Sequence, residues 1–369
     1  MIPPSAASPA CSGSRKHEMK GKENTMSTLK ERNEERLRKS INGEKTDCHA
    51  VFHYYTFPFF HAATHVNLKD YFHNPAICME SQQEAFEMLD GCGNFVPDMG
   101  PVAETSALGG KVRFDEHGFI SVAPSGIEEL EDVLALKPGD PYGDNYMCRA
   151  LETLEYMVDH CPKGYIVNPH VVMGPFTVGA QLCGISDFCA NTIADPDMVD
   201  AVLDLVIETQ IRFLHAQEKI LGRPLHHVLV CDDLSAFLGA ETYQKLILPS
   251  YDKLFAEFPN TKRWLHNDAK ARHVAHLIPE GGMVAWQYHP SISPQDALHL
   301  TDRKVTLLGG LSPVELAGLS VEETIQKCND VIDSFNGDPR CVLAAGGSIN
   351  EVPIENLRAM FRVADERHI

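Results

Sequence analysis

The chain has 369 residues, of which 44% are hydrophobic and 22% charged, and this composition is typical of a globular enzyme. Its formal net charge of −19 argues against nucleic acid or an anionic membrane surface as the main partner. Eleven cysteines at irregular intervals, without a CxxC pair, favour reduced thiols in a cytoplasmic protein over a disulfide framework. There is neither an apolar run of about 18 residues nor a signal peptide, so we expect no membrane span and no secretion.

The chain begins with a polar stretch. Residues 1–25 are rich in Ser, Pro and Lys, and we interpret them as a disordered leader, or an over-long start, outside the fold. A second methionine, Met26, then begins a helix-prone segment of mixed charge that ends at Gly43. Residues 26–369 are therefore predicted to form the folded domain, with this segment as an N-terminal helical extension.

Short apolar runs and amphipathic segments follow one another after Gly43. Residues 49–57 are predicted as a first strand, and residues 111–122, with an Asp-Glu-His-Gly turn, as an inserted β-hairpin. A long helix is expected between Asp195, a suitable N-cap, and Gly222 past its end.

The remainder alternates strictly between strand and helix, which implies a parallel sheet. Predicted strands cover residues 226–235, 261–268, 283–293, 304–313 and 341–350. Predicted helices cover residues 239–258, with a kink or break at Pro249, and 269–282, 293–303, 321–337 and 354–367. No G-x-G-x-x-G follows the early strands, so a single (β/α)₈ TIM barrel is favoured over an open doubly wound sheet.

Polar residues end three consecutive predicted strands. They are Asp232 and Asp233, then His266 and Asp268, then Tyr288 and His289. In a barrel these ends surround one mouth, and imidazole and carboxylate groups together suit a zinc-type site. Three roles stay open for the His266–Asp268 pair, namely metal binding, proton transfer and hydrogen bonding within the core. Asp232 and Asp233 can equally cap the next helix, whereas Cys231 is expected to point away from the mouth.

Two glycine pairs end the last two strands. Gly309 with Gly310, and Gly346 with Gly347, allow a ligand close to the backbone, and in barrels these positions often hold an anion. Tight turns explain them equally well. No G-x-S-x-G elbow or P-loop is present, so acyl and nucleoside-triphosphate chemistry have no support.

An ordered series of segments resembles the uroporphyrinogen decarboxylase superfamily. They are GPFTVGAQL, CDDLSAFLGAETYQKLILPSYDKLF, WLHNDAKARHVAHLIPEGG, TLLGGLSPVEL and AAGGSINEVPIENLRAM. The resemblance extends from about Leu29 to the C-terminus and implies a (β/α)₈ barrel. True decarboxylases of this superfamily carry an Arg-Gln-Ala-Gly-Arg signature, but the corresponding region here is FHYYTFPFFHAATHVNL, without arginine. A substrate with many carboxylates would therefore lack an obvious anchor.

The resemblance is closer to the corrinoid-dependent methyltransferase branch. Its best-known members hold zinc with His-x-Cys and a later Cys; here His266 matches the first ligand and Asp268 stands in the place of the first Cys. Members that act on methoxylated or methylamine-like compounds are more similar, and this likeness implies a zinc site at His266, Asp268 and His289. Asp232 or Asp233 would assist as a proton donor or hydrogen-bonding support.

The implied function is transfer of a methyl group from a small methoxy or methylamine-type substrate to the cobalt of a corrinoid-binding partner protein. The residues expected to contact the substrate are Tyr54, Tyr55, Phe57, Phe176, Tyr288, Gly309, Gly310, Gly346 and Gly347. Without zinc, Asp268 and His289 would act by protonation. The alternatives are a metal-free decarboxylase or lyase acting on a small carboxylic acid, and a non-catalytic ligand-binding protein. The sequence does not determine the direction of transfer or whether the chain forms a homodimer.

Overall fold

The structure is a computed structural model that describes residues 27–369. The predicted leader, residues 1–25, lies outside this range. Within the described range, no helix combines the length and the apolar character that crossing a membrane requires.

A parallel sheet of seven strands forms the centre of the protein, in the order β1-β9-β8-β7-β6-β5-β4. The strands of the chain are β1 Val51–Phe52, β2 Lys111–Phe114, β3 Ile120–Ala123, β4 Val172–Met173, β5 His227–Cys231, β6 Lys262–Asn267, β7 Met283–Tyr288, β8 Thr306–Leu311 and β9 Cys341–Ala345. An isolated parallel bridge between Phe95 and Val167 adds pairing in the chain between β1 and β4. The predicted α/β class is confirmed, as is the hairpin insertion, which is the antiparallel pair β2–β3.

Helices surround this sheet. They are α1 Leu29–Ile41, α2 Phe57–Thr64, α3 Leu68–His73, α4 Pro75–Met88, α5 Ala103–Ala107, α6 Leu130–Ala135, α7 Tyr146–His160, α8 Pro175–Cys183, α9 Ile185–Ala194, α10 Pro196–Leu221, α11 Ala240–Ala256, α12 Pro294–Leu300, α13 Pro313–Gly318, α14 Val321–Ser334 and α15 Ile354–Glu366. Short 3₁₀ turns cover Gly100–Val102, Leu234–Phe237 and Ala275–Leu277.

Local signals fix several of these boundaries. α1, the predicted helical extension, begins with a capping box in which Thr28 and Glu31 each accept the other's backbone N–H. α10 begins after Asp195, whose side chain accepts from Met198, and ends at Gly222, which is left-handed with φ of 64°. Both ends of α10 agree with the prediction from sequence.

Two predicted elements differ from the structure. The first strand is only Val51–Phe52; residues 53–56 are irregular, and α2 begins at Phe57. Residues 269–282 do not form a helix and contain a single 3₁₀ turn. The Asn267 side chain accepts from the Ala269 backbone N–H at 3.2 Å, and bonds between residues three apart then continue the chain as turns. This local hydrogen bonding competes with helix formation.

The strands place alternate side chains on opposite faces of the sheet. On β6, Trp264 and His266 share one face, where Trp264 stacks on His227 and His266 packs against Tyr54. Asn267 lies on the other face and donates to the backbone oxygen of Asp232. This alternation decides which residues can meet at the carboxyl ends of the strands.

Candidate metal centre

Three polar side chains lie together at the carboxyl ends of β5 and β6. His266 Nε2 is 3.8 Å from Asp233 Oδ1 and 4.0 Å from Asp268 Oδ2. One potential ligand atom from each residue lies within 4.8 Å of the other two. These separations are too long for hydrogen bonds. The imidazole and both carboxylates therefore lie close together, but these atoms are not hydrogen-bonded to one another.

Gln287 determines the orientation of His266. It occupies the register position beside His266 on β7, and its Oε1 is 2.7 Å from His266 Nδ1. Its amide nitrogen donates to the backbone oxygens of Ala345 at 2.7 Å and Gly347 at 3.2 Å. Because the amide nitrogen already donates, Oε1 is the acceptor and His266 Nδ1 carries the hydrogen. The lone pair of Nε2 is thus available on the side of the two carboxylates.

Sequence analysis did not identify Gln287. The available signal was a glutamine within the otherwise apolar strand Met283–Tyr288, since a buried polar side chain needs hydrogen-bond partners. The pairing of Gln287 with His266 depends on the register of two parallel strands, which the sequence does not specify.

The two aspartates differ in environment from His266. The His266 side chain is only 4% exposed, whereas those of Asp233 and Asp268 are 31% and 43% exposed. Burial raises the pKa of Asp233 to about 6; His266 opposes this shift and the Asp268 carboxylate adds to it. The backbone N–H of Asp268 donates to Asp233 Oδ1 at 2.8 Å. Two like charges held this close favour a cation or a proton between them.

Asp232 lies on the opposite face from this group. Its carboxylate accepts from the Thr177 hydroxyl at 2.7 Å and from the Tyr251 hydroxyl at 2.8 Å, and it is fully buried. A Cβ on Gly174 would lie 1.9 Å from Asp232 Cγ, so the strand-to-helix turn before α8 requires glycine here. Asp232 therefore connects α8 and α11, and its predicted catalytic role stays a prediction.

Tyr54 and Cys231 lie beside the candidate centre. The Tyr54 ring is 4.8 Å from the His266 ring, and its hydroxyl is 3.4 Å from Cys231 Sγ. Cys231 pairs in register with His266, so both side chains share one face. The expectation that Cys231 points away from this region is therefore wrong. Burial holds the pKa of its thiol well above the ordinary value, which keeps it protonated.

The structure does not bring His289 into this group. Its Nδ1 lies 2.7 Å from the Ser291 hydroxyl and also accepts from the Ser291 backbone N–H. The third potential ligand beside His266 and Asp268 is Asp233, whereas the sequence analysis predicted His289. The zinc set of His266, Asp268 and His289 stays a prediction that this geometry does not favour.

Among the aromatic residues predicted to contact substrate, Tyr54 packs against the His266 ring. The Tyr55 hydroxyl donates to the backbone oxygen of Cys92, and Phe57 packs edge-on against Phe72. Phe176 is fully buried, with its ring 5.0 Å from that of Phe188. Tyr288 is buried against Trp286, on the face of β7 opposite Gln287.

The predicted glycines have different surroundings. Gly309 lies under the Tyr288 ring, and Gly310 faces Val331 on α14. A Cβ on Gly346 would lie 2.2 Å from the backbone oxygen of Tyr288, whereas one on Gly347 would lie 3.2 Å from Asp268 Oδ2. Gly347 is thus the member of the two pairs that borders the candidate centre.

The donor set fits a zinc ion. Zinc in proteins is held by histidine nitrogen and carboxylate oxygen, and a catalytic site uses three such ligands. Asp233, His266 and Asp268 supply one nitrogen and two oxygens, and Gln287 fixes the free lone pair of His266 toward the carboxylates. A hydrogen-bond acceptor behind a metal-binding histidine is the usual supporting arrangement.

The sequence pattern of the family described as uroporphyrinogen decarboxylase (URO-D) matches residues 32–367. A methylated-thiol–coenzyme M methyltransferase of Methanosarcina mazei is 23% identical over 209 residues. That match covers 54% of this chain and 53% of the relative, so the chain spans about half of the relative's length.

The fold is also that of a solved protein. A structure described as a methyltransferase from Methanosarcina mazei superimposes with a TM-score of 0.76 at 18% identity. The superposition covers 92% of this chain and 98% of the other. At this level of identity the likeness establishes the fold alone, and the residues of the candidate centre must carry any conclusion about chemistry.

Proposed function

The chain belongs to the uroporphyrinogen decarboxylase family, and on that premise we propose that it transfers a methyl group from a small methylated substrate to a corrinoid protein. Zinc held by Asp233, His266 and Asp268 would assist. The substrate would be a methoxy or methylamine-type compound, and the corrinoid of the partner protein would supply the methyl acceptor.

One observation carries this proposal: Nε2 of His266 faces two carboxylates while Gln287 Oε1 lies 2.7 Å from its Nδ1. A histidine with one nitrogen hydrogen-bonded to the protein and the other left open is the usual arrangement of a metal ligand. In the described residues Nε2 has no hydrogen-bond partner, and its neighbours at 3.8 and 4.0 Å are both anionic ligand types.

The donor types indicate the substrate class. The relative from Methanosarcina mazei is named for methylated thiols. In this chain the group holds oxygen and nitrogen donors and no cysteine, and Cys231 remains a thiol beside Tyr54. Zinc with these ligands supplies a hard Lewis acid toward oxygen or nitrogen. An ether or amine heteroatom therefore suits the site better than sulfur.

The protein's own residues position the reaction. His266, fixed by Gln287, and the two aspartates define where the substrate heteroatom binds. The methyl group leaves without its bonding electrons, so the pair stays on the heteroatom, which takes up a proton. Asp233 and Asp268 are both partly exposed and connect this position with solvent. Tyr54, against the His266 ring, borders the same position.

A second candidate is metal-free proton transfer, as in a decarboxylase or lyase acting on a small carboxylic acid. The observation that favours it is Asp233, whose pKa burial raises to about 6. Such a carboxyl group exchanges a proton near neutral pH, which suits a general acid or base.

Metal content together with methyl transfer separates the two candidates. We would measure zinc by mass spectrometry in wild type, His266→Ala and His289→Ala, and follow methylation of cob(I)alamin by absorbance with methanol, methylamine and 4-methoxybenzoate as donors. We expect close to one zinc per chain in wild type and in His289→Ala. His266→Ala should lose the zinc and the transfer activity together.

His289→Ala is the matched control, because it removes a neighbouring imidazole that lies outside the group. Loss of zinc in this variant would move the site to the set first predicted from sequence. A wild-type protein without zinc and without methyl transfer would reject the proposal and leave proton transfer by Asp233.

A further inference from the structure

One face of the central sheet carries the candidate metal centre at one end and a cavity at the other. Along β6, Lys262, Trp264 and His266 share this face, because strand side chains alternate. His266 belongs to the candidate centre, whereas Lys262, the first residue of β6, and Trp264 line a cavity of about 760 Å³. Phe52 and Tyr54 line it too, and Tyr54 separates it from the His266 ring. The two sites are therefore distinct positions along the same strands.

The cavity offers accessible apolar surface. Phe52, Tyr54 and Leu37 of α1 line it and remain partly exposed. Its volume lies within the range of small-molecule sites, which are mostly apolar with a few placed polar groups. Rings such as those of Phe52 and Tyr54 pack well, edge-on or offset, against another aromatic ring. The walls therefore suit the aromatic part of a small molecule.

Lys262 places a positive charge at the rim of this cavity. Its side chain is exposed, and its Nζ donates to the neutral Oδ1 of Asn42, which also lines the cavity. Glu44, the acidic residue that contacts Asn42, accepts from the Asn42 amide at 2.8 Å and lies 3.8 Å from Arg38. Lys262 itself forms no ion pair within residues 27–369.

Glu34 is the acidic residue of the lining, and it is already paired. Its Oε1 accepts from Asn94 at 2.9 Å and lies 3.7 Å from Lys30 Nζ. Arg38 and Lys262 add two further cations to the lining. The Glu34 carboxylate therefore does not neutralise Lys262, and an incoming carboxylate would meet a positive rim.

Further bases lie around the start of β5. Arg223 donates to the backbone oxygen of Val167 at 3.3 Å and forms no ion pair in the part of the chain that the structure describes. The pKa of His227 is lowered to about 4 by burial and, to a smaller extent, by Arg223, His226 and Lys262. All three of these neighbours are bases. In a chain with a net charge of −19, this local excess of bases favours an anionic group.

We propose that this cavity is a second binding site, separate from the Asp233–His266–Asp268 group, for a small carboxylate with an aromatic body. The carboxylate would pair with Lys262 at the rim, and the ring would pack against Phe52. A charged hydrogen bond at one end and apolar contact along the rest would give the ligand a defined orientation. The proposal does not depend on methyl transfer.

A matched pair of probes tests the role of charge. We would titrate wild-type protein with 4-phenylbutyrate and with its neutral amide, 4-phenylbutyramide. Tryptophan emission reports binding, because Trp264, one of the two tryptophans of the chain, lines the cavity. We expect a saturable change with both probes and about three- to ten-fold tighter binding of the carboxylate. Burying part of a carboxylate is unfavourable unless a cation receives it, so this preference reports Lys262.

Two substitutions separate the charge from the apolar contact. Lys262→Met keeps the apolar stem and removes the charge, so the affinity for the carboxylate should fall to that for the amide. Phe52→Leu should weaken both probes alike, by about three-fold, because it removes a ring contact. Lys245→Met is the matched control, since Lys245 is an exposed lysine paired with Glu241 and its loss changes the net charge equally. It should leave both affinities within about two-fold.

His266→Ala tests whether the probes occupy the candidate metal centre, where zinc could also bind a carboxylate. This variant should keep both affinities within about two-fold. Loss of binding in His266→Ala would overturn the proposal, as would no saturable change with the carboxylate, or equal affinity for the amide. Equal effects of Lys245→Met and Lys262→Met would overturn it too. The zinc content of Lys262→Met should equal that of wild type, which keeps this test separate from the test of methyl transfer.

Discussion

Gln287 is the residue on which the chemistry of His266 depends. It receives the Nδ1 hydrogen and is itself held by the backbone of β9 and its following turn, through Ala345 and Gly347. Gln287→Leu would remove this acceptor while keeping similar volume. We expect zinc affinity to fall about 10- to 100-fold, because the imidazole would lose both its orientation and its tautomer.

Competition with a zinc-sensitive dye measures this affinity in wild type and variant. Gln287→Glu is the matched control, since a carboxylate can still accept the Nδ1 hydrogen even though it no longer donates to the two carbonyls. If Gln287→Leu holds zinc as tightly as wild type, the tautomer argument is wrong.

Glu104 offers a test of a buried charge that is not part of the Asp233–His266–Asp268 group. Its Oε1 accepts from the Met173 backbone N–H at 2.9 Å, its Oε2 has no partner in the described chain, and burial raises its pKa to about 7. The folded-state pKa therefore lies above the unfolded value, so the stability it contributes is lost as pH rises from about 4.5 through 7.

Glu104→Gln keeps the shape of the side chain and removes the charge. We expect the free energy of unfolding to match wild type near pH 5 and to exceed it by about 2 kcal/mol at pH 8.5. Urea unfolding at both pH values measures this difference. Equal differences at the two pH values would show that Glu104 does not titrate in this range.

The candidate residues could be predicted from sequence only as a set. Asp233, His266 and Asp268 were all identified, because polar residues at the ends of parallel strands meet at one edge of a sheet. The choice between Asp233 and His289 was beyond the sequence. It depends on where the chain turns after each strand, and the His289 ring bends back to Ser291.

Among the elements, α1 is attached mainly by charged contacts. Arg36 donates to Asp47 at 2.7 Å and to Asp365 of α15 at 2.5 Å, and its side chain is only 6% exposed. Arg32 pairs with the same Asp365. These bonds hold α1 over the amino-terminal end of the sheet, where Thr306, the first residue of β8, donates to the Ser40 backbone oxygen.

Arg36→Met should loosen this attachment. We expect the free energy of unfolding to fall by about 2 kcal/mol, since hydrogen bonds to partly buried charges are lost. Amide hydrogen exchange should increase within Leu29–Ile41. Arg38→Met is the matched control, because Arg38 pairs with Glu35 on the solvent side of the same helix and should change little. Equal effects of both substitutions would argue against a specific role for Arg36.

Element boundaries could be predicted where a side chain determines them locally. Asp195 and Gly222 limit α10 as predicted. The helix does not break at Pro249, because α11 continues through it from Ala240 to Ala256. The predicted helix over residues 269–282 failed, because the Asn267 side chain captures the first free backbone N–H and the 3₁₀ pattern follows. Periodicity alone cannot reveal this competition.

At the scale of the whole molecule, the two ends of the sheet have different compositions. The carboxyl end carries the polar residues that the sequence analysis predicted as site candidates. Their location at that end follows from the strict alternation of strands and helices. The cavity of about 760 Å³ at the amino end combines segments far apart in the chain, from Lys30 on α1 to Phe361 on α15. No local pattern marks such residues as neighbours, so the sequence could not predict it.

The net charge of −19, from 51 acidic and 32 basic residues, acts on the molecule as a whole. Unbalanced negative charge repels itself more strongly in the compact state than in the unfolded chain. Raising the salt from about 10 mM to about 300 mM shortens the screening length from about 30 Å to below 8 Å. We therefore expect the thermal midpoint at pH 8 to rise by about 1–2 °C, which corresponds to roughly 1 kcal/mol for a chain of this length. Scanning fluorimetry in potassium chloride measures this shift.

The control is the same series at pH 5.3, near the isoelectric point, where the net charge and its repulsion vanish. A rise of equal size at pH 5.3 would mean that salt acts through apolar burial, not through the acidic surface.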